Sequence, residues 1–158
     1  MKTSIYVLLA GLILFGLTAC FDDVKVLNVD KVITVSDFPY TLKDKPAVII
    51  LLGRDNEHTV SVTMQREQIR PGYVSILPAN VPIYPMSIDV IWGDKSYVMS
   101  TKHGTNAEFH IKRIDRSKRV ATVTVTGRLV NPKDFSDFSE IMESTLEITG
   151  TNFDHLIM

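Results

Sequence analysis

The pattern that most restricts the fold is a period of two that recurs from Val24 to Met158. Thr59-Val60-Ser61-Val62-Thr63-Met64 alternates polar and apolar residues, and Arg119 to Thr126 does the same. In the second run Ala121, Val123 and Val125 fall on one side, and Thr122, Thr124 and Thr126 on the other. Successive side chains of a strand point to opposite faces, so this spacing predicts half-buried strands. Ala47-Val48-Ile49-Ile50-Leu51-Leu52 is apolar throughout and predicts a central strand covered on both faces. Turn-forming residues separate the runs at Lys43–Pro46, Gly53–Asn56, Pro71-Gly72 and Asp115–Lys118. Gly93 and Asp94 predict a hairpin between Ser87–Trp92 and Tyr97–Thr101. Strands this short, spaced by roughly 8–12 residues, make up a sandwich or a barrel.

One segment departs from the alternation. Asn131 suits a helix cap, Pro132 the first helical position, and Asp134 the first turn. Phe135, Phe138, Ile141 and Met142 then form one apolar stripe. Asp134, Asp137, Glu140 and Glu143 make an acidic face, and a helix is predicted near 132–142. A last strand is expected over Ser144–Thr149, with Phe153, Leu156 and Ile157 as an apolar tail. Pro78, Pro82 and Pro85 predict an extended crossing between sheets. The expected fold is therefore all-β, a β-sandwich of about eight or nine strands with that one short helix. A small open β-barrel is the second choice.

The first twenty residues read as an address. Lys2 supplies a positive start, Ile5–Leu17 carries no charge, and small residues follow at the end of the run. That is the layout of a secretory signal peptide. As a helix, the run rises only about 20 Å, short of a hydrocarbon core roughly 30 Å thick. Leu17-Thr18-Ala19-Cys20 resembles the lipobox of bacterial lipoproteins, and Cys20 is the chain's one cysteine. The resemblance covers residues 1–20. It implies lipid transfer to the Cys20 thiol, cleavage before Cys20, and a stable membrane anchor of two or more acyl chains. The implied organisation is a cleaved segment 1–19, a lipidated cysteine with a short tether over 20–23, and one β-rich domain over 24–158. In enteric lipoproteins an Asp directly after the cysteine implies inner-membrane retention. Phe21 stands there instead, which favours the outer membrane, while Asp22-Asp23 keeps the inner membrane in view.

Composition removes several function classes. Seventeen Lys and Arg stand against 18 Asp and Glu, for a net charge of -1. That balance argues against a nucleic-acid partner. A single cysteine excludes an intrachain disulfide framework and a cysteine-built zinc site. No Gly-x-Ser-x-Gly elbow, His-Glu-x-x-His motif or phosphate-cradling glycine loop occurs. Asp55, Glu57 and His58 crowd one turn without metal-site spacing. The expectation is a non-enzymatic protein with no cofactor and no metal.

Two surfaces are candidates for a partner. Lys112, Arg113, Arg116, Lys118 and Arg119 gather near one predicted hairpin tip, opposed only by Asp115. Such a tip suits an anionic partner such as headgroups or an acidic protein face. Tyr84 and Trp92 lie around the Pro-rich loop, and aromatic residues anchor interfaces. The contact candidates are thus Tyr84, Trp92, Arg116, Lys118 and Arg119. The expected function is a membrane-anchored envelope lipoprotein that binds a protein or envelope component. A periplasmic immunity lipoprotein against a toxin and an envelope enzyme with an unrecognised site are the alternatives.

Overall fold

The computed structural model describes residues 24–77 and 86–158. Ten strands and one helix follow one another along it. They are β1 (Lys25–Leu27), β2 (Lys31–Leu42), β3 (Lys45–Gly53), β4 (His58–Gln65) and β5 (Tyr73–Leu77). Then come β6 (Met86–Trp92), β7 (Lys95–Val98), β8 (Asn106–Asp115), β9 (Val120–Asn131), β10 (Asp134–Thr149) and α1 (Gly150–Ile157). The strand order is β1-β10-β9-β7-β6-β4-β3-β2, with β8 also paired to β9 and β5 paired to β8.

The long strands turn this sheet into a sandwich-like fold. β9 pairs with β8 from Val120 to Arg128, then meets β7 at Val130↔Val98. One strand therefore serves two layers. The inward residues of β3, β4 and β6 (Val48, Ile50, Val62, Val90) share a buried cluster with Phe109, Ile111, Val123 and Ile148 of β8, β9 and β10. Removing these side chains from water is the main favourable contribution to the fold. The sheet does not close into a barrel.

The all-β expectation holds, with ten strands where eight or nine were expected. β3 is an interior strand, flanked by β2 and β4, but it is not covered equally on both faces: Val48, Ile50 and Leu52 are buried, and Ile49 and Leu51 only half-buried. Lys43 and Asp44 make the two-residue β2–β3 turn, both with positive φ, as a twist-matched hairpin turn needs. Gly93 takes a φ of 60° in the β6–β7 turn. Gly127 permits a close approach of β8: a Cβ there would lie 2.9 Å from both Ala107 Cβ and the Asn106 carbonyl oxygen.

The helix near 132–142 is corrected, because β10 runs through that segment. The residues read as a helix cap are used in turns instead. Asn131 Oδ1 accepts the Lys133 N–H at 2.9 Å, and Asp134 Oδ1 accepts the Ser136 N–H at 3.0 Å. Asn and Asp serve caps and turns by the same side-chain acceptor. Register shifts between Asp134 and Phe138, and between Ile141 and Ser144, interrupt the alternation and mimic a helical spacing. Phe135 and Met142, two of the four stripe residues, are exposed. The acidic face is likewise dispersed along the strand.

The helix that does form is α1, in the segment read as a tail. Gly150 turns the chain out of β10 with a φ of 58°. Phe153 and Leu156 are buried. Asn152 Oδ1 accepts the Val35 N–H at 2.9 Å, so α1 covers part of the open edge of β2. Covering an edge in this way blocks pairing with another chain.

Candidate functional site

Two clefts and one hairpin tip stand out among the described residues. The first cleft, of about 590 Å³, lies between the β2–β3 turn and the ends of β6 and β7. Leu42, Met86, Val98 and Met99 are among its apolar lining residues, and Asp89 and Ser100 among its polar ones, with Lys43 and Lys102 at the same cleft. Burial raises the Asp89 carboxyl above its ordinary value. Ser100 Oγ lies 2.7 Å from His103 Nδ1, and Thr105 Oγ1 accepts the Ser100 N–H at 2.7 Å. The His103 ring stacks on Phe135 at 4.1 Å. These contacts pin the turn over residues 100–105.

The second cleft, of about 480 Å³, surrounds Asp137 beside the start of β1. Its carboxylate accepts hydrogen bonds from Lys25 Nζ at 2.7 Å, Lys95 Nζ at 2.8 Å, Tyr97 Oη at 3.2 Å and Asn131 Nδ2 at 3.2 Å. Burial works to raise the Asp137 pKa, but these donors outweigh it and hold the group well below the carboxylate range. The hydrogen bond to Asp137 raises the Lys25 ammonium in turn. Fold assembly makes this node: Lys25 lies 112 positions from Asp137 in the chain. Beside it Arg128 sits over the Phe138 ring at 4.2 Å and 3.8 Å from Glu140.

The hairpin tip joins β8 and β9. Asp115 organises it by accepting the Ser117 hydroxyl at 2.7 Å and the Lys118 N–H at 3.0 Å. These two hydrogen bonds, the hydroxyl's first, lower the Asp115 pKa. The five basic residues read together are therefore not equivalent. Arg113 pairs with Asp115 at 3.0 Å, and Arg119 pairs with Asp154 of α1. Arg116 and Lys118 are exposed at the tip.

The other sequence candidates fall elsewhere. Trp92 is partly buried against the core, its ring edge-on to His58 at 4.7 Å. His58 also meets Asp55 at 2.7 Å. The hydrogen bond with His58 is the main cause that lowers the Asp55 pKa to about 2. Tyr84 lies outside the described residues, as does Cys20. Sequence reasoning missed the Asp137 node, because nothing local links Lys25 and Lys95 to Asp137. No cluster of three or more His, Cys, Asp or Glu side chains that could hold a metal occurs among the described residues. Comparison with protein-family models, curated proteins and solved structures found no match.

Proposed function

We propose that this chain is a membrane-anchored bacterial envelope lipoprotein whose β domain binds a protein or envelope component without catalysis. The observation that carries the reading is the lipobox-like Leu17-Thr18-Ala19-Cys20 ending only five residues before β1. Acyl chains on Cys20 would anchor the protein, and Phe21 in the next position favours the outer membrane. The basic tip is the contact surface we assign, through Arg116 and Lys118. Asp115 holds their turn in shape while leaving both cations outward. Two adjacent exposed cations on a shaped hairpin fit an acidic protein face and give salt-sensitive association.

The test is affinity capture from detergent-solubilised bacterial membranes, with mass spectrometry of both bait and captured proteins. Intact protein, Cys20→Ala and Arg116→Glu/Lys118→Glu would be compared. The expected result is an acylated Cys20 and a stoichiometric partner that the charge-reversed tip no longer retains. Capture that ignores charge reversal would remove the tip from the reading. An unmodified Cys20 would remove the lipoprotein assignment itself.

A further inference from the structure

Among the described residues, four of the nine exposed large apolar side chains fall at the two edges of one run of strands, β1-β10-β9-β8-β5, and Tyr40, Ile91, Phe135 and Met158 lie elsewhere. Val24 and Val26 lie at the β1 edge, with Met142 on β10 beside them. Val74 and Ile76 lie on β5. Val26 is 44% exposed and Ile76 is 60% exposed, so exposure alone does not tell the two edges apart.

The tether tells them apart. Three residues separate Cys20 from Val24. Four extended steps reach at most about 14 Å. The β5 edge stands four strand spacings from β1, about 19 Å across the sheet. A lipid held at Cys20 thus keeps the β1 edge within reach of the headgroups and leaves the β5 edge further away.

The chemistry of the β1 edge fits a bilayer surface. β1 runs parallel to β10 with Val26 beside Glu140 and Leu27 beside Ile141. Alternation turns Val24 and Val26 outward, on the face that also carries Glu140 and Met142. Lys25 points to the opposite side and ends on Asp137. Arg128, which pairs in register with Glu140, has that carboxylate as its counter-charge. The edge therefore presents apolar groups next to the Arg128–Glu140 ion pair, with Glu143 exposed after Met142. On meeting a headgroup layer the apolar groups leave water, while Arg128, Glu140 and the exposed Glu143 stay among polar headgroups and water.

We propose that the β1 edge, through Val24, Val26 and Met142, rests on the headgroup layer of the bilayer that holds Cys20. The inference depends on the lipoprotein reading above. Contact along this edge also shields an open strand edge from pairing with a second chain. The β5 edge faces the aqueous phase.

The test uses the acylated full chain, purified from membranes and reconstituted in phosphatidylethanolamine–phosphatidylglycerol vesicles. Val26→Cys, Met142→Cys and Ile76→Cys are made singly. All three positions are exposed, and acylation of Cys20 leaves the new thiol as the one to label. A spin label at each is probed with oxygen, which concentrates in lipid, and with a water-soluble nickel chelate. Labels at 26 and 142 are expected to collide preferentially with oxygen, and the label at 76 with nickel. If the label at 26 meets nickel as often as the label at 76 does, on protein with acylated Cys20, the proposal is overturned alone. Equal oxygen preference at 26 and 76 overturns it too, because both edges would then touch lipid. Mass spectrometry showing a free Cys20 overturns the lipoprotein reading and this proposal with it.

Discussion

Replacing Asp137 with Ala removes the acceptor for four donors at once. Lys25, Lys95, Tyr97 and Asn131 all lose their bond to this carboxylate. Its side chain is 11% exposed, against 26% for Lys25 and 43% for Lys95. Breaking a buried ion pair from one side costs about 3–5 kcal/mol, whereas an exposed pair is worth about 0–1 kcal/mol. Both lysines keep a path to water, which pulls the cost toward the lower figure. Tyr97 has none, since its side chain is buried and its hydroxyl loses its acceptor. A buried orphan donor costs about 1–3 kcal/mol. The expected net loss is about 1–3 kcal/mol, dominated by Tyr97 and Lys25. Urea unfolding of the Cys20→Ala chain, with and without Asp137→Ala, measures it. The acid arm has a defined sign. The folded pKa of Asp137 lies below its ordinary 3.8, so its contribution is complete only above about pH 5. It is lost as pH falls toward the folded value. The stability difference between the two proteins must therefore shrink from pH 7 to pH 3. A loss under about 0.5 kcal/mol at pH 7, the scale of ordinary surface substitutions, refutes the reasoning. So does a difference that stays constant with acid.

Three further outcomes are expected. Gly127→Ala pushes a methyl against Ala107 and the Asn106 carbonyl, and overpacking of this kind costs about 1–3 kcal/mol, read as a lower thermal midpoint. An unchanged midpoint would show that β8 and β9 separate freely. Asn152→Ala removes the acceptor of the Val35 N–H, costs about 1 kcal/mol, and speeds hydrogen exchange at Val35 more than at Ile50. In a carbon-13 NMR titration the Asp55 carboxyl turns over at about 2, and a midpoint at its ordinary 3.8 would mean that the His58 contact is absent in solution.

The sequence was most legible where structure is local. Thr59–Met64 and Ala121–Thr126 alternate as strands do and lie within β4 and β9, but burial there is not one-sided, because Thr59, Thr63 and Thr124 are buried as well. The turns at Lys43-Asp44 and Gly93-Asp94 were visible for the same reason, since turn chemistry is a property of neighbouring residues. The segment from Pro132 to Met142 was misread. Asn131 and Asp134 carry acceptors that serve a helix cap and a turn equally well, and two register shifts broke the period that marks a strand. Pairing with β9 decided it, and that partner is invisible in a short window of sequence. α1 was read as a tail for the converse reason. Phe153 and Leu156 gain their stability from burial against the sheet, and a helix of eight residues is too short to declare itself alone.

The candidate surfaces divide along the same line. The lipobox-like residues around Cys20 and the basic run from Lys112 to Arg119 are sequence features, readable without a fold. All five cations are exposed, and tertiary structure decided that Arg119 is paired, because α1 brings Asp154 to it. The Asp137 node and the β1 edge exist only once β1 lies beside β10, joining positions more than a hundred residues apart. By itself, the sequence determined that this chain builds strands, because backbone alternation and turn preference act between near neighbours. Tertiary structure alone decided which strands pair, which charges meet and which edges remain open, because those energies arise between residues that the chain keeps far apart.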